Sequence, residues 1–122
     1  MRRGRYYLLD LRGCSPSLLD DPEFLREMLI EGMRMANLSP LGEAFHHFTP
    51  QGVSGFVMAA GSHFSIHTWP EYGYASIDIY SSEETPVLEE IANFFSKKLQ
   101  SRDFSLTELI RREVGHGDEE GE

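Results

Sequence analysis

The stretch AAGSHFSIHTWPEYGYASIDIY, residues 59–80, decides the fold because it contains two strand patterns joined by a turn. In its second half, apolar residues occupy alternate positions from Ala75 to Ile79, and polar residues lie between them. Pro70 and Gly73 bracket the turn that precedes this strand. Such alternation is typical of a strand that is buried on one face and exposed on the other, as in an antiparallel sheet.

Strand and helix patterns on either side of this stretch complete the predicted architecture. Asp21 with Pro22 is typical of a helix start, and Thr85 with Pro86 gives the same signal for a second helix. Apolar residues follow each start at helical spacing: Leu25, Met28, Leu29, Met33 and Ala36, then Leu88, Ile91, Ala92, Phe95 and Leu99. Further strands are predicted at 6–11, 53–60 and 104–110. The order β-α-β-β-β-α-β predicts an α+β fold, a two-layer α/β sandwich with helices on one face of an antiparallel sheet.

Length and composition indicate one domain. The chain has 122 residues, of which 40% are hydrophobic and 25% charged, as is typical of a globular protein with its own core. We expect this domain to span residues 1–114. Residues 115–122 are acidic residues and glycines apart from one histidine, and we expect an acidic disordered tail there.

Charge and cysteine content limit the classes of partner and compartment. The formal net charge is -9, which argues against nucleic acid as the main partner because phosphate binding needs a basic surface. The single cysteine, Cys14, cannot form an intramolecular disulfide, which fits a reducing compartment. The first residues show no signal-peptide pattern, and no apolar run approaches the roughly 20 residues of a membrane span. We therefore expect a cytoplasmic protein without a membrane segment.

Polar side chains are unusually dense at the centre of the opening stretch. Ser62, His63, Ser65 and His67 lie close together, and Glu71 follows soon after. A buried polar patch, in which these groups satisfy each other's hydrogen bonds, is the first hypothesis. A metal site is the second, since both histidines would face the same way on a strand, but no cysteine or obvious carboxylate completes a ligand set. A serine hydrolase is the third, although the residues around Ser62 read A-G-S-H-F and not G-x-S-x-G.

Self-cleavage of the backbone at Ser62 is the fourth hypothesis. A serine hydroxyl can attack the carbonyl carbon of the preceding residue, and elimination from the resulting ester leaves a dehydroalanine that hydrolyses to a pyruvoyl group. The reaction needs a strained peptide bond, a donor for the oxyanion and a base for the serine Cα proton. Gly61 lowers the steric cost of an unusual backbone at this bond. Ser54 and His67 are suitable residue types for the donor and the base. The residues alone leave all four hypotheses open.

A longer set of segments resembles one known family. The chain contains, in this order, LRGC, DDPEFLREMLIEG, AFHHFTPQGVSG and SIHTWPEYGYASIDIY. These segments are similar to those of prokaryotic S-adenosylmethionine decarboxylase proenzymes, which use a pyruvoyl group in spermidine biosynthesis. The string from Ser62 to Glu71 is long and specific, so chance is a poor explanation. The resemblance selects the fourth hypothesis.

The resemblance implies a role for each of five residues. Ser62 resembles the serine that becomes the pyruvoyl group, Ser54 the serine that assists the acyl shift, and His67 the histidine that removes the Cα proton. Glu71 matches the residue that holds the ribose hydroxyls, and Phe48 one that stacks on adenine. The resemblance also implies S-adenosylmethionine as the substrate, a Schiff base between its α-amine and the pyruvoyl ketone, and a dimer of cleaved protomers.

Two residues depart from the family pattern. Gly61 stands where the family usually has glutamate before the cleaved serine, and Ser82 stands where a cysteine returns the proton to the substrate. Other pyruvoyl enzymes cleave a Gly-Ser bond, so Gly61 need not prevent processing. A serine hydroxyl is a much weaker acid than a thiol of pKa about 8.5, so proton return should be slower or follow another route. Cys14 is expected to be a small buried hydrophobic residue and not the missing donor.

Two alternatives to S-adenosylmethionine decarboxylation remain at this point. The same machinery could act on arginine or ornithine, or the chain could be a non-cleaving regulatory homologue. Phe48 and Glu71 favour the nucleoside substrate, whereas Ser54, Ser62 and His67 favour a protein that cleaves itself.

Overall fold

The computed structural model describes residues 3–82 and 87–112. The elements in these ranges are β1 (Arg3–Arg12), α1 (Pro16–Leu19), α2 (Pro22–Met35), β2 (Gly42–His47), β3 (Val53–Ala59), β4 (Ser62–Trp69), β5 (Tyr74–Ser81), α3 (Leu88–Lys98) and β6 (Asp103–Arg112). A 3₁₀ turn at Pro70–Tyr72 lies between β4 and β5. The predicted helix start at Thr85 and Pro86 and the predicted tail at 115–122 lie outside the described residues.

The six strands of the described residues form one sheet in the order β2-β3-β4-β5-β1-β6, and every neighbouring pair is antiparallel. Helix α2 contacts β2, β3 and β4, helix α3 contacts β6, and the two helices contact each other. This arrangement confirms the predicted α+β sandwich with helices on one face of an antiparallel sheet. No helix in the described part of the chain is long and apolar enough to cross a membrane.

The predicted order of elements is wrong by one strand and one short helix. Strand β2 lies at the edge of the sheet, and none of its residues is fully buried, so it lacks the apolar alternation that predicts the other strands. Helix α1 has only four residues, which is too short for a helical repeat to be visible in the sequence.

The core lies between the helix layer and one face of the sheet. The predicted apolar stripe of α2 is buried except for Ala36, and that of α3 is buried except for Leu88. The rings of Phe64 on β4 and Phe95 on α3 meet edge to face, with their centroids 6.3 Å apart. This contact joins α3 to the middle of the sheet.

Helix α2 begins at Asp21 and Pro22, as predicted, and the Asp21 carboxylate accepts a hydrogen bond from the Phe24 N–H at 3.1 Å. Asp21→Ala removes this acceptor, so we expect the free energy of unfolding to fall by about 1 kcal/mol, measured by urea denaturation. Asp21→Asn retains a capping oxygen and should lose clearly less. Equal losses in both variants would contradict the capping role.

The hairpin formed by β3 and β4 positions the polar residues of the opening stretch. A two-residue turn, Ala60-Gly61, joins the paired residues Ala59 and Ser62. Gly61 has φ +72°, in the left-handed region that glycine adopts without steric cost. Along β4, Ser62 and every second residue after it face the helix layer, whereas the residues between them face the open side of the sheet.

Candidate active site

Ser62 lies among four residues that we call the turn half-site: Gly61, Ser62, Ser81 and Ser82. Its side chain is 7% exposed, and its hydroxyl donates to the Ser81 hydroxyl at 3.4 Å across β4 and β5. The backbone N–H of Ser82 donates to the carbonyl oxygen of Gly61 at 3.1 Å. The carbonyl group that precedes Ser62 is therefore held and polarised by a hydrogen-bond donor.

Four other predicted site residues form a second group, which we call the histidine half-site: Phe48, Ser54, His67 and Glu71. Ser54 and His67 are paired across β3 and β4, and Ser54 Oγ lies 2.7 Å from His67 Nδ1. Because Nδ1 is engaged by Ser54, Nε2 of the imidazole remains for another partner. All four residues line one pocket of about 310 Å³. The structure thus brings four of the six predicted site residues together.

Ser62 and His67 do not meet within one chain. They are five positions apart on β4, which corresponds to about 16 Å along a strand. An odd separation also puts their side chains on opposite faces of the sheet, so Ser62 faces the helix layer and His67 the open side. The His67 imidazole therefore cannot reach Ser62 in an isolated protomer.

The open face of the sheet connects the two half-sites. Phe56 and Met58 are large apolar side chains, yet they are 40% and 45% exposed on this face. A hollow of about 560 Å³, lined by both residues, reaches Gly61 and Ser62. Exposed apolar side chains beside a hollow are typical of a surface that binds another molecule.

Asp78 is an acidic group of the open face and lies opposite Ser65 on β4. Burial raises the pKa of its carboxyl group, and the charges of the neighbouring His67 and His63 partly offset that rise. The two histidines therefore have an acidic neighbour on this face.

A model of one protein family matches almost the whole described chain. It is the model of S-adenosylmethionine decarboxylase, and it matches residues 5–112. The chain belongs to the S-adenosylmethionine decarboxylase family. This membership confirms the family predicted from the sequence.

Individual relatives and a solved structure agree with the family model. The chain is 35% identical to an S-adenosylmethionine decarboxylase proenzyme of Thermodesulfovibrio yellowstonii over 95% of its own length and 86% of the relative. It is 36% identical to the proenzyme of Pyrococcus furiosus over 88% of its length and 78% of the relative. The crystal structure of the adenosylmethionine decarboxylase from Aquifex aeolicus superposes with a TM-score of 0.80 at 31% identity, covering 93% of this chain and 94% of that one.

Membership of the S-adenosylmethionine decarboxylase family also confirms the predicted enzyme class and cofactor. The chain is a decarboxylase proenzyme, a carboxy-lyase, and the family depends on a pyruvoyl group that derives from a serine of the chain on self-cleavage. The antiparallel sheet with its helices agrees with the fold of the structural relative.

Gly61 and Ser82, the two positions expected to depart from the family pattern, lie in contact with each other. A Cβ atom at Gly61 would lie 2.8 Å from Ser82 Oγ, so a side chain at this position would require Ser82 to move. The donor to the Gly61 carbonyl is the backbone N–H of Ser82, and this hydrogen bond does not depend on the side chain at position 82. The side chains that positions 61 and 82 can accommodate therefore depend on each other.

Residues that support the histidine half-site were not predicted from the sequence. The Asp20 carboxylate accepts hydrogen bonds from the Gly52 N–H and from His47, and Thr68 is a buried polar residue below the pocket. Asp20 directly precedes the helix-capping Asp21, and in the sequence it looks like a second capping residue. A polar residue at a buried strand position, as at Thr68, is a signal that could have been used.

Cys14 is buried, as predicted, and lies far from Ser82. Its backbone N–H donates to the Gly73 carbonyl at the end of β5 opposite to Ser82. Burial raises the pKa of the Cys14 thiol to about 11, so the thiol stays protonated and unreactive near neutral pH. Among residues 3–82 and 87–112, no three His, Cys, Asp or Glu side chains are grouped as metal ligands.

Proposed function

We propose that this chain cleaves itself between Gly61 and Ser62 and then decarboxylates S-adenosylmethionine to the aminopropyl donor of spermidine biosynthesis. The observation that carries the proposal is the hydrogen bond from the Ser82 N–H to the Gly61 carbonyl, 3.1 Å long, directly beside the Ser62 hydroxyl. Residues 1–114 would form the decarboxylase domain. A cytoplasmic enzyme fits the single cysteine of the chain.

Self-cleavage begins at the turn half-site. A bond forms between Ser62 Oγ and the carbonyl carbon of Gly61 as the hydroxyl gives up the proton that the Ser62 nitrogen later takes, and negative charge develops on the carbonyl oxygen. The Ser82 N–H already points at this oxygen, so it stabilises the charge without reorganisation. The C–N bond then breaks, and the Ser62 nitrogen takes a proton, which leaves an ester between the two residues.

Elimination completes the cleavage. A base removes the Cα proton of Ser62, the Cβ–Oγ bond breaks, and Gly61 leaves as the carboxylate end of the N-terminal fragment. The dehydroalanine that remains takes up water and releases ammonia, which gives the pyruvoyl group. No external oxidant or reductant is needed in this sequence of steps.

The contact between Ser54 and His67 supports their proposed roles as donor and base. For His67 Nε2 to accept a proton, the Nδ1–H must be donated to Ser54 Oγ, which lies 2.7 Å away. The Ser54 proton is then free to be donated to the oxyanion. The imidazole tautomer with its proton on Nδ1 therefore allows Nε2 to accept a proton and the Ser54 hydroxyl to donate one.

The separation of the half-sites supports a dimer in which each site is shared by two chains. Ser62 and His67 lie about 16 Å apart within a chain, so His67 can act as the base only from a second copy. A two-fold axis near the middle of β4 would bring the turn half-site of one protomer to the histidine half-site of its partner, twice in each dimer. The second copy would also cover Phe56 and Met58 on the open face.

The turn half-site fits a pyruvoyl group formed from Ser62. The group is as small as serine, the site is almost fully enclosed, and the Ser81 and Ser82 hydroxyls lie beside it as polar partners. When present, the pyruvoyl ketone supplies the sink for the electrons that departing carbon dioxide leaves behind. Substrate reaches it through the hollow on the open face.

The pocket of the histidine half-site supports a nucleoside substrate over arginine or ornithine. Phe48 offers an aromatic ring, 46% exposed, on which an adenine can stack. Glu71 at the same pocket offers a carboxylate to accept hydrogen bonds from two ribose hydroxyls. An adenosyl group would engage both residues through separate groups, the adenine ring on Phe48 and the ribose hydroxyls on Glu71, and would leave the α-amine for the Schiff base.

Intact mass and a substrate comparison test the proposal. We expect the purified chain to split into residues 1–61 and 62–122, the second with a pyruvoyl end, and to release carbon dioxide from carboxyl-labelled S-adenosylmethionine. Arginine and ornithine should release at least about 100-fold less, because the adenosine contacts are lost. A chain that stays at full mass would support the non-cleaving homologue. A cleaved chain that prefers arginine or ornithine would support the second substrate class.

A further inference from the structure

The loop between β2 and β3 is tied to the end of α1 by Asp20. Asp20 Oδ1 accepts a hydrogen bond from the Gly52 N–H at 2.9 Å and contacts His47 Nε2, also at 2.9 Å. Gly52 has φ +106°, a conformation that other residues rarely adopt. The Asp20 carboxylate thus anchors the loop at Gly52, the residue with this positive φ angle.

The same loop carries Phe48 into the pocket. The Phe48 N–H donates to the Gly52 carbonyl at 2.7 Å, so Gly52 is held by Asp20 through its N–H and by Phe48 through its carbonyl. Both Phe48 and Gly52 line the pocket of the histidine half-site. A change at Asp20 is therefore transmitted to Phe48 through a single residue.

A second connection joins α1 to the floor of the pocket. The Thr68 hydroxyl, 6% exposed, donates to the Leu19 carbonyl at 2.7 Å and accepts from the Val53 N–H at 2.9 Å. This contact fixes the end of α1 against β3 and β4, and Asp20 is the next residue. The Asp20 carboxylate is thereby held in place to act on the loop.

We propose that Asp20 is a positioning residue for substrate binding, which acts by holding the loop 48–52 so that Phe48 faces the nucleoside. The proposal rests on the proposed function, because it takes Phe48 as the group that stacks on adenine. The Gly52 N–H, and after it His47, lower the pKa of the Asp20 carboxyl, so the acceptor stays ionised near neutral pH.

Asp20 should affect substrate binding and leave self-cleavage almost unchanged. Ser54 and His67 are fixed by the antiparallel ladder of β3 and β4, and neither belongs to the loop that Asp20 holds. Loss of Asp20 therefore frees Phe48 but leaves the proposed donor and base in position. A purely structural role would instead weaken cleavage and binding together.

The test measures binding by fluorescence of Trp69, the only tryptophan in the chain and a residue of the same pocket. Titration with S-adenosylmethionine is done in the Ser62→Ala background, so binding is read without cleavage or turnover. We expect Asp20→Ala to raise the Kd about 10-fold, as the loss of a hydrogen bond to a charged group implies. Asp20→Asn keeps an acceptor for the Gly52 N–H and should raise it by no more than about 3-fold.

Asp21→Ala is the matched control, since it removes a neighbouring carboxylate that caps α2 and does not line the pocket. We expect it to leave the Kd unchanged. In the chain with Ser62, Asp20→Ala should cleave within about 2-fold of the wild-type rate, because the ladder holds the donor and the base. An unchanged Kd in Asp20→Ala, or an equal rise in Asp21→Ala, would overturn the proposal. Failure of the wild-type chain to cleave would count against the proposed function alone, because the titration does not depend on cleavage.

Discussion

Chains that carry His67→Ala should cleave at close to the wild-type rate when they share a dimer with Ser62→Ala chains. Neither variant should do so alone. Ser62→Ala has no hydroxyl to attack the Gly61 carbonyl and should remain one chain of 13.9 kDa. His67→Ala lacks the proposed base and should cleave at least about 100-fold more slowly than the wild type.

Rescue follows from the distance between the half-sites. Within one chain, Ser62 and His67 face opposite sides of the sheet and lie about 16 Å apart along β4. In a mixed dimer, one composite site combines Ser62 of the His67→Ala chain with the intact histidine of its partner. The other site combines both defects and should be inactive. Only the His67→Ala chain should therefore be cut.

The experiment uses two co-expressed chains with affinity tags of different size, purified over both tags in turn and followed by intact mass. The matched control replaces the Ser62→Ala chain with a chain that carries both Ser62→Ala and His67→Ala, which leaves no composite site intact. Rescue with the single variant and not with the double variant would establish the shared site. Mixed dimers, verified by light scattering, in which the His67→Ala chain stays slow would refute it.

Most of the fold could be predicted from the sequence, because burial on one face leaves a repeat that is visible in each strand and helix. Strand β5 shows it clearly, with Ala75, Ile77 and Ile79 all buried. Strand β2 could not be predicted in this way, because an edge strand that is only partly covered needs no alternation. Its place follows from pairing with β3, which is a tertiary contact.

The chemical types at the site could also be predicted, but their grouping could not be inferred from proximity in the chain. Ser62 and His67 are near in sequence and far apart in the fold, whereas Ser54 and His67 are far in sequence and in contact. Two signals were available. The odd separation on a strand puts the first pair on opposite faces, and a two-residue turn at Gly61 fixes the register that pairs the second.

The support of the pocket by Asp20 could not be predicted by any local pattern. Asp20 and Gly52 are 32 positions apart, and their contact depends on how α1 packs against the β3–β4 hairpin. The backbone N–H donor of Gly52 carries no residue signature of its own, so nothing in the sequence marks it as the partner of the Asp20 carboxylate. The contact becomes visible only when the loop and the helix end are placed together.

Ser82→Cys should raise turnover by about 10- to 100-fold if general acid help is what this chain lacks. Decarboxylation leaves an electron-rich α-carbon, and a thiol with a pKa of about 8.5 protonates it far better than a hydroxyl. Gly61 leaves room for the change, because no side chain at that position presses on residue 82. If the proton reaches the cofactor carbon instead, the pyruvoyl group becomes alanine and the enzyme is lost.

The same substitution should leave self-cleavage within about 2-fold of the wild-type rate, because the donor to the Gly61 carbonyl is the backbone N–H of residue 82. This separates a role in turnover from a role in processing. Turnover is measured with S-adenosylmethionine, arginine and ornithine, while the mass of the C-terminal fragment reports conversion of pyruvoyl to alanine. Ser82→Ala is the control, since it removes the hydroxyl and keeps the N–H. Equal turnover in all three proteins, with no pyruvoyl lost to alanine, would mean that a water or another side chain returns the proton and that Ser82 acts only through its backbone.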